Sequence, residues 1–207
     1  MLTTLALLAA LQPGIWTNED DHYFARERGD AAIPAWTGVE MGADGRWRQV
    51  DWLGQPLNGP AGEWAAGDPP GLVQSNGRVM LHSAAGQPTV VKRGEQFTCW
   101  ISTLCHAKKS DGKDDWTFDA NLLTHDQGGR LESRVDGAPG VVLRLRSVAW
   151  PPPSRNRPSL VLYVHTPDEP NRAVSYSWAD PAAQLIGINL RWVQASCTRG
   201  RREASPQ

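Results

Sequence analysis

Val141-Val142-Leu143-Arg144-Leu145-Arg146-Ser147-Val148 stands between Gly140 and a run that ends in Pro151-Pro152-Pro153. Leucine and arginine alternate through its middle. Side chains of an extended strand point to opposite faces in turn, so Leu143 and Leu145 share one face and Arg144 and Arg146 the other. The same period of two recurs downstream. Leu160 to His165 is β-branched and aromatic, Val174, Tyr176 and Trp178 alternate with Ser175 and Ser177, and Ile186, Ile188, Leu190 and Trp192 alternate with Gly187, Asn189 and Arg191.

Upstream the pattern holds. Trp36 to Met41 is extended, Gly42-Ala43-Asp44-Gly45 is a tight turn, and Arg46 to Leu53 runs back with Arg48, Val50 and Trp52 on one face and Trp47 on the other. Gly54 to Gly71 is a long Gly- and Pro-rich loop that carries Trp64. Arg78 to Ser83 and Thr89 to Arg93 flank a turn, Gln96 to Cys105 alternates, and Trp116, Phe118, Ala120 and Leu122 alternate again. One helix interrupts the series near the start. Asn18 precedes Glu19-Asp20-Asp21, acids that suit the first turn, and Arg26, Arg28 and Gly29 suit the end. No helical crossover separates the later strands, so neighbours pair antiparallel.

The expected fold is all-β: an antiparallel meander of about ten strands closing into a lipocalin-like β-barrel, with one short N-terminal helix. Residues 14–198 are read as one barrel domain and 199–207 as a flexible basic tail with Arg199, Arg201 and Arg202. Leu2 to Leu11 is apolar, with Ala9 and Ala10 near its end and Gln12-Pro13-Gly14 after it. It has the form of a signal-peptide core without a basic start, and residues 1–13 are read as a probable signal peptide. The expected location is periplasmic or secreted.

The charge balance excludes some classes. The 207 residues hold 21 Lys+Arg and 22 Asp+Glu, a net charge of -1, which does not suit a nucleic-acid partner. The first hundred residues carry 7 basic and 11 acidic side chains, and the rest carry 14 and 11. No apolar run has the length of a membrane-spanning helix. Walker, Gly-x-Gly-x-x-Gly, His-Glu-x-x-His and Gly-x-Ser-x-Gly motifs are absent. Asp111, Asp114, Asp115 and Asp119 lie among Lys108, Lys109 and Lys113, as in a solvated loop, and lack a calcium-binding frame. His125-Asp126 is the most catalytic-looking pair. Adjacent strand residues face opposite ways, however, and Gly128-Gly129 follows, so turn chemistry explains it better. No catalytic residue, cofactor or metal is expected. If the chain is an enzyme, it is lyase-like or glycoside-acting.

Three cysteines are present. Cys99 and Cys105 lie six residues apart in one strand, about 20 Å at 3.4 Å per residue, whereas a disulfide needs Cα atoms roughly 4.4–6.8 Å apart. Cys197 is the partner of one of them. Cys105, which like Cys197 sits where a strand ends, is the expected one, with three free thiols as the alternative.

Ten tryptophans are many for this length. Trp64, in a polar loop, and Trp150, beside the prolines, are the candidate exposed aromatics. Trp36, Trp47, Trp52, Trp100, Trp116, Trp178 and Trp192 lie in strand patterns and are expected in the core. Arg144 and Arg146, if their face is turned inward, make a buried site able to hold a carboxylate in bidentate fashion. The ligand-binding set is therefore Trp64, Arg144, Arg146 and Trp150.

Gly14-Ile15-Trp16-Thr17-Asn18, the strand from Phe97 to Cys105, and Asp126-Gln127-Gly128-Gly129-Arg130 together resemble the T-type phycobiliprotein chromophore lyases, a lipocalin-like barrel family. That family follows its Asp-x-Gly turn with Trp-Gly, which is absent here, so no catalytic residue carries over. The resemblance implies a closed antiparallel barrel whose interior takes an elongated ligand.

Three functions fit these readings. The first is an exported barrel that holds a small amphipathic ligand. The second is a carbohydrate-binding or carbohydrate-active β-sandwich that uses exposed Trp and paired carboxylates. The third is an envelope domain with no small ligand and an exposed apolar patch. The oligomeric state is not legible.

Overall fold

The computed structural model describes residues 11–75, 77–82 and 87–200, so the signal-peptide reading of residues 1–10 and the tail from 201 lie outside the described residues. The chain from Gly14 on divides into two compact units. The first runs to Asp51 and resumes over Gln55–Arg93; the second comprises Trp52–Gly54 and the chain from Gly94 on.

The first unit contains β1 (Gly14–Thr17), α1 (Glu19–Arg28), β2 (Gly38–Met41), β3 (Trp47–Val50), a 3-10 turn (Gly59–Gly62), β4 (Leu72–Ser75), β5 (Arg78–Leu81) and β6 (Thr89–Arg93). Its strands form one antiparallel sheet in the order β3-β2-β1-β6-β5-β4. β1 joins the two halves, pairing with β2 on one edge and β6 on the other.

The helix lies where Asn18 and Gly29 place it. Gly29 takes the left-handed conformation, φ 70°, and the Gly29 and Asp30 amides donate to the Arg26 and Ala25 carbonyls. Asn18 does not cap with its side chain. That amide accepts from the Thr37 N–H at 2.7 Å and donates to the Ala35 carbonyl at 2.8 Å. The acids do more than complement the helix dipole. Asp21 accepts from the Val90 N–H at 2.7 Å and Asp20 pairs with Lys92 at 2.6 Å, which fixes α1 to β6. Asn18 is buried, so Asn18→Ala leaves the Thr37 amide without its acceptor. The expected loss is about 1–2 kcal/mol, read from chemical denaturation.

The second unit contains β7 (Gln96–Thr103), β8 (Asp119–His125), β9 (Gln127–Ser133), β10 (Val141–Val148), β11 (Ser159–His165), β12 (Ala173–Ala179), β13 (Leu185–Asn189) and β14 (Val193–Arg199). They form two antiparallel sheets, β12-β11-β10-β9 and β13-β14-β7-β8. One residue, Asp126, separates β8 from β9 and carries the chain between the sheets. The run expected as one strand from Ile186 to Trp192 is broken by a tight turn in which the Leu190 N–H donates to the Val193 carbonyl at 2.8 Å. β13 and β14 then pair as a hairpin.

The fold is thus β-rich and antiparallel, with one helix. The described strands hydrogen-bond in three sheets, and no single ladder runs full circle as a closed barrel requires. Between the sheets of the second unit lies a filled core. Leu143, Leu145, Leu160 and Leu162 meet Phe97 and Ile101, each under 2 % exposed. The alternation at 141–148 decides this, because the leucine face of β10 turns into that core.

Two expectations are corrected here. The disulfide joins Cys99 to Cys197, and Cys105 is a free, half-buried thiol. β7 and β14 are neighbours whose register sets Cys99 directly opposite Cys197, with Cα atoms 4.0 Å apart. Cys105 lies beyond the end of that ladder. The strand tryptophans are not fully buried either: every Trp of the chain is half-buried or exposed, with Trp178 68 % exposed, and Trp192 packs, partly buried, against the core. Aliphatic side chains supply most of the interior.

Candidate functional site

Strand alternation builds an open hollow on one face of the sheet in the first unit. Trp47 and Gln49 are two apart on β3, and the register sets Gln49 opposite Val39 of β2. Thr37 precedes that strand, and Leu81 and His82 reach the same space from the end of β5. The segment Pro69-Pro70-Gly71 closes the side. It is tied down by the His82 N–H, which donates to the Gly71 carbonyl at 2.8 Å. Gly71 has φ 75°, and a Cβ there would lie 2.2 Å from the His82 carbonyl oxygen, so only glycine fits.

The hollow measures about 460 Å³. Its walls are the Trp47 indole, Val39, Leu81 and the two prolines, and its polar groups are the Thr37 hydroxyl, the Gln49 amide and the His82 imidazole. No Asp, Glu, Lys or Arg lines it. The Trp47 Nε1–H is shielded from solvent and has no hydrogen-bond partner among the described residues. A buried donor in that state costs about 1–3 kcal/mol. Apolar walls with a few oriented polar groups are the usual chemistry of a small-molecule site.

The expected ligand-binding residues lie elsewhere. Trp64 is 38 % exposed in the first unit, and the Arg48 guanidinium, itself paired with Glu40 at 2.7 Å, sits 4.5 Å over its ring. Trp150, in the second unit, is half-buried. Arg144 and Arg146 do share a face of β10, and that face is buried, with Arg130 of β9 opposite Arg144. Arg144 lies 5.8 Å from the Tyr163 ring. Burial, and after it the charge of Arg146, hold its pKa well below the usual guanidinium range. Arg130 is engaged by the Pro170 carbonyl at 2.7 Å and the Asn171 side chain at 3.1 Å. The structure therefore brings the two arginines together on one face of β10, sealed from solvent.

No family model matches this chain, nor does any curated protein or solved structure. The likeness to the T-type lyases rests on the quoted segments alone.

The remaining candidates read as structure. Asp126 accepts from the Glu95 N–H at 2.7 Å, and its own N–H donates to the Glu95 carbonyl at 3.0 Å, so the His125-Asp126 corner is held by backbone chemistry. Asp111 pairs with Lys113 at 3.1 Å on the surface, and Asp119 accepts from the Ser133 hydroxyl. Among the described residues no group of three His, Cys, Asp or Glu is placed to hold a metal, and no helix is long and apolar enough to cross a membrane. The hollow escaped sequence reading because loop residues far from β3 complete it. Its one local signal was Trp47, set by alternation on the face opposite Arg48.

Proposed function

We propose that the first unit binds a small amphipathic molecule in the Trp47 hollow, and that the chain acts as a binding protein with no catalytic role. The observation that carries this reading is an apolar hollow of about 460 Å³ walled by the Trp47 indole, Val39, Leu81 and two prolines. The lining favours an uncharged or weakly polar ligand: an apolar body against Trp47, Val39, Leu81 and Pro70, and a polar group toward Thr37, Gln49 and His82. The lipocalin-like expectation then takes the form of a ligand on the open face of a part-rolled sheet.

The buried Cys99–Cys197 bond supports a periplasmic or secreted location, because such bonds persist in oxidising compartments. Mass spectrometry of the chain from its native host tests this, and an intact Met1 removes the export claim.

The binding test is intrinsic fluorescence of the full chain titrated with long-chain alcohols, monoacylglycerols and uncharged indoles. Saturable quenching is expected. Trp47→Ala removes the aromatic wall, so affinity falls by at least about tenfold. Trp178→Phe, on an exposed strand face, leaves affinity unchanged. A panel without saturable binding, or equal affinity in Trp47→Ala, overturns the proposal.

A further inference from the structure

We infer that the second unit carries a separate site for a neutral sugar ring on the outer face of the sheet β13-β14-β7-β8, between the Trp100–Phe118 aromatic pair and Asn121. It does not depend on the Trp47 hollow.

Alternation turns Phe97, Cys99 and Ile101 of β7 into the core, which leaves Thr98 and Trp100 on the opposite face. The register carries that face across the sheet. Ser196 stands opposite Trp100, and Thr198 opposite Thr98. Gly187 stands opposite Ser196 and adds no side chain there. These residues floor a groove of about 390 Å³, with Phe118 and Leu185 at its edges. The Trp100 and Phe118 rings lie 5.8 Å apart with 33° between their planes, and Phe118 is 66 % exposed.

β8 is irregular at this point. Cys99 pairs with Leu122 and Ile101 with Asp119, so Ala120 and Asn121 together oppose Trp100 as a bulge. Asn121 takes φ 58°, the only positive φ among the described non-glycine residues. Bulges re-aim side chains, and Asn is among the residues that tolerate this conformation best. The result is an amide beside an aromatic pair, with the Ser196 and Thr198 hydroxyls across the floor.

The lining selects the ligand class. It holds no Asp, Glu, Lys or Arg, so it offers nothing to balance a charged ligand. The exposed Phe118 ring and the half-buried Trp100 ring stack on the C–H face of a pyranose, while hydroxyls and an amide exchange hydrogen bonds with its rim; an alkyl chain would leave those groups without partners. No carboxylate lines the groove, so the site binds sugar without cleaving it, since glycoside hydrolysis uses two opposed carboxyl groups.

The test is calorimetry and NMR titration of the full chain with maltohexaose, cellohexaose and chitohexaose. At least one is expected to bind and to shift the indole resonance of Trp100. Phe118→Ala, at an exposed position, lowers affinity at least tenfold. Asn121→Gly accepts the same backbone conformation and removes only the amide, so the fold is kept and affinity falls several-fold. Trp47→Ala leaves sugar binding unchanged, which separates this site from the hollow in the first unit. The inference is overturned if none of the three sugars binds more tightly than about 10 mM. It is also overturned if binding survives both groove variants, or if Phe118 is covered by a second copy of the chain, as shown by a dimer that Phe118→Asp dissociates.

Discussion

Replacing Cys99 and Cys197 together with Ala and Val lowers the unfolding free energy of the second unit by about 2–5 kcal/mol. The bond closes a loop whose ends are 98 residues apart, a length at which chain-entropy arguments give a loss near the top of that range. It also bridges β7 and β14, the first and last strands of the unit, at directly opposed positions. Both sulfurs belong to residues that are almost wholly buried, so a thiol reductant reaches them only after the sheets open. Denaturant melts with and without reductant measure the effect. The wild type loses its margin only when it unfolds in reductant, and Cys105→Ser melts like the wild type in both conditions. A Cys105→Ser chain as weak as the double variant would show that the assigned pairing is wrong.

Lowering the pH from 7 to 4 costs the second unit about 3 kcal/mol through one side chain, His125. Burial pulls its pKa from 6.5 down to about 4. The imidazole is buried, and its Nδ1 accepts from the Gln127 N–H at 3.3 Å, a bond available only to the neutral ring. Gly94 and Gly129 lie against it: a Cβ on either would fall 2.8 Å from a His125 side-chain atom, so glycine at both positions leaves the ring its place. The sign follows from linkage. The folded pKa is depressed, so the unfolded chain binds the extra proton between about 6.5 and 4, and stability falls as the pH drops through that interval. Above it the contribution is fully present. His125→Gln is less stable at pH 7, but its stability falls less steeply between pH 7 and 4. An unchanged slope in His125→Gln would sink this assignment.

What could be read in advance was local. The alternation of Leu143 and Leu145 with Arg144 and Arg146 gives strand and shared faces from eight letters but leaves the arginine face open, and both faces proved buried. Asn18 and Gly29 bound a helix because capping depends on neighbouring backbone. The failures share one cause: they needed partners distant in the chain. The Cys197 bond follows from β14 lying beside β7, a register that no nearby residue encodes. β1 has four residues, too few for alternation to show, and it owes its extended form to β2 and β6. The tryptophans were assigned to the core because they lie in strand patterns, whereas Leu, Val and Ile fill most of it. The Trp47 hollow needs Pro69-Pro70-Gly71 brought against β3, and the outer groove needs a bulge that shows only when β8 is laid on β7.

The pairing of β7 with β14 also bears on how the chain is made. On the ribosome β7 emerges long before its neighbour exists, and one of its edges stays bare until residues 193–199 have been synthesised. Contacts that span so much chain form slowly. During that delay the nascent half-sandwich exposes an unpaired ribbon with an oily underside, the kind of surface that sticks to other chains. Shielding by a chaperone until the final ribbon arrives would therefore suit this protein's birth.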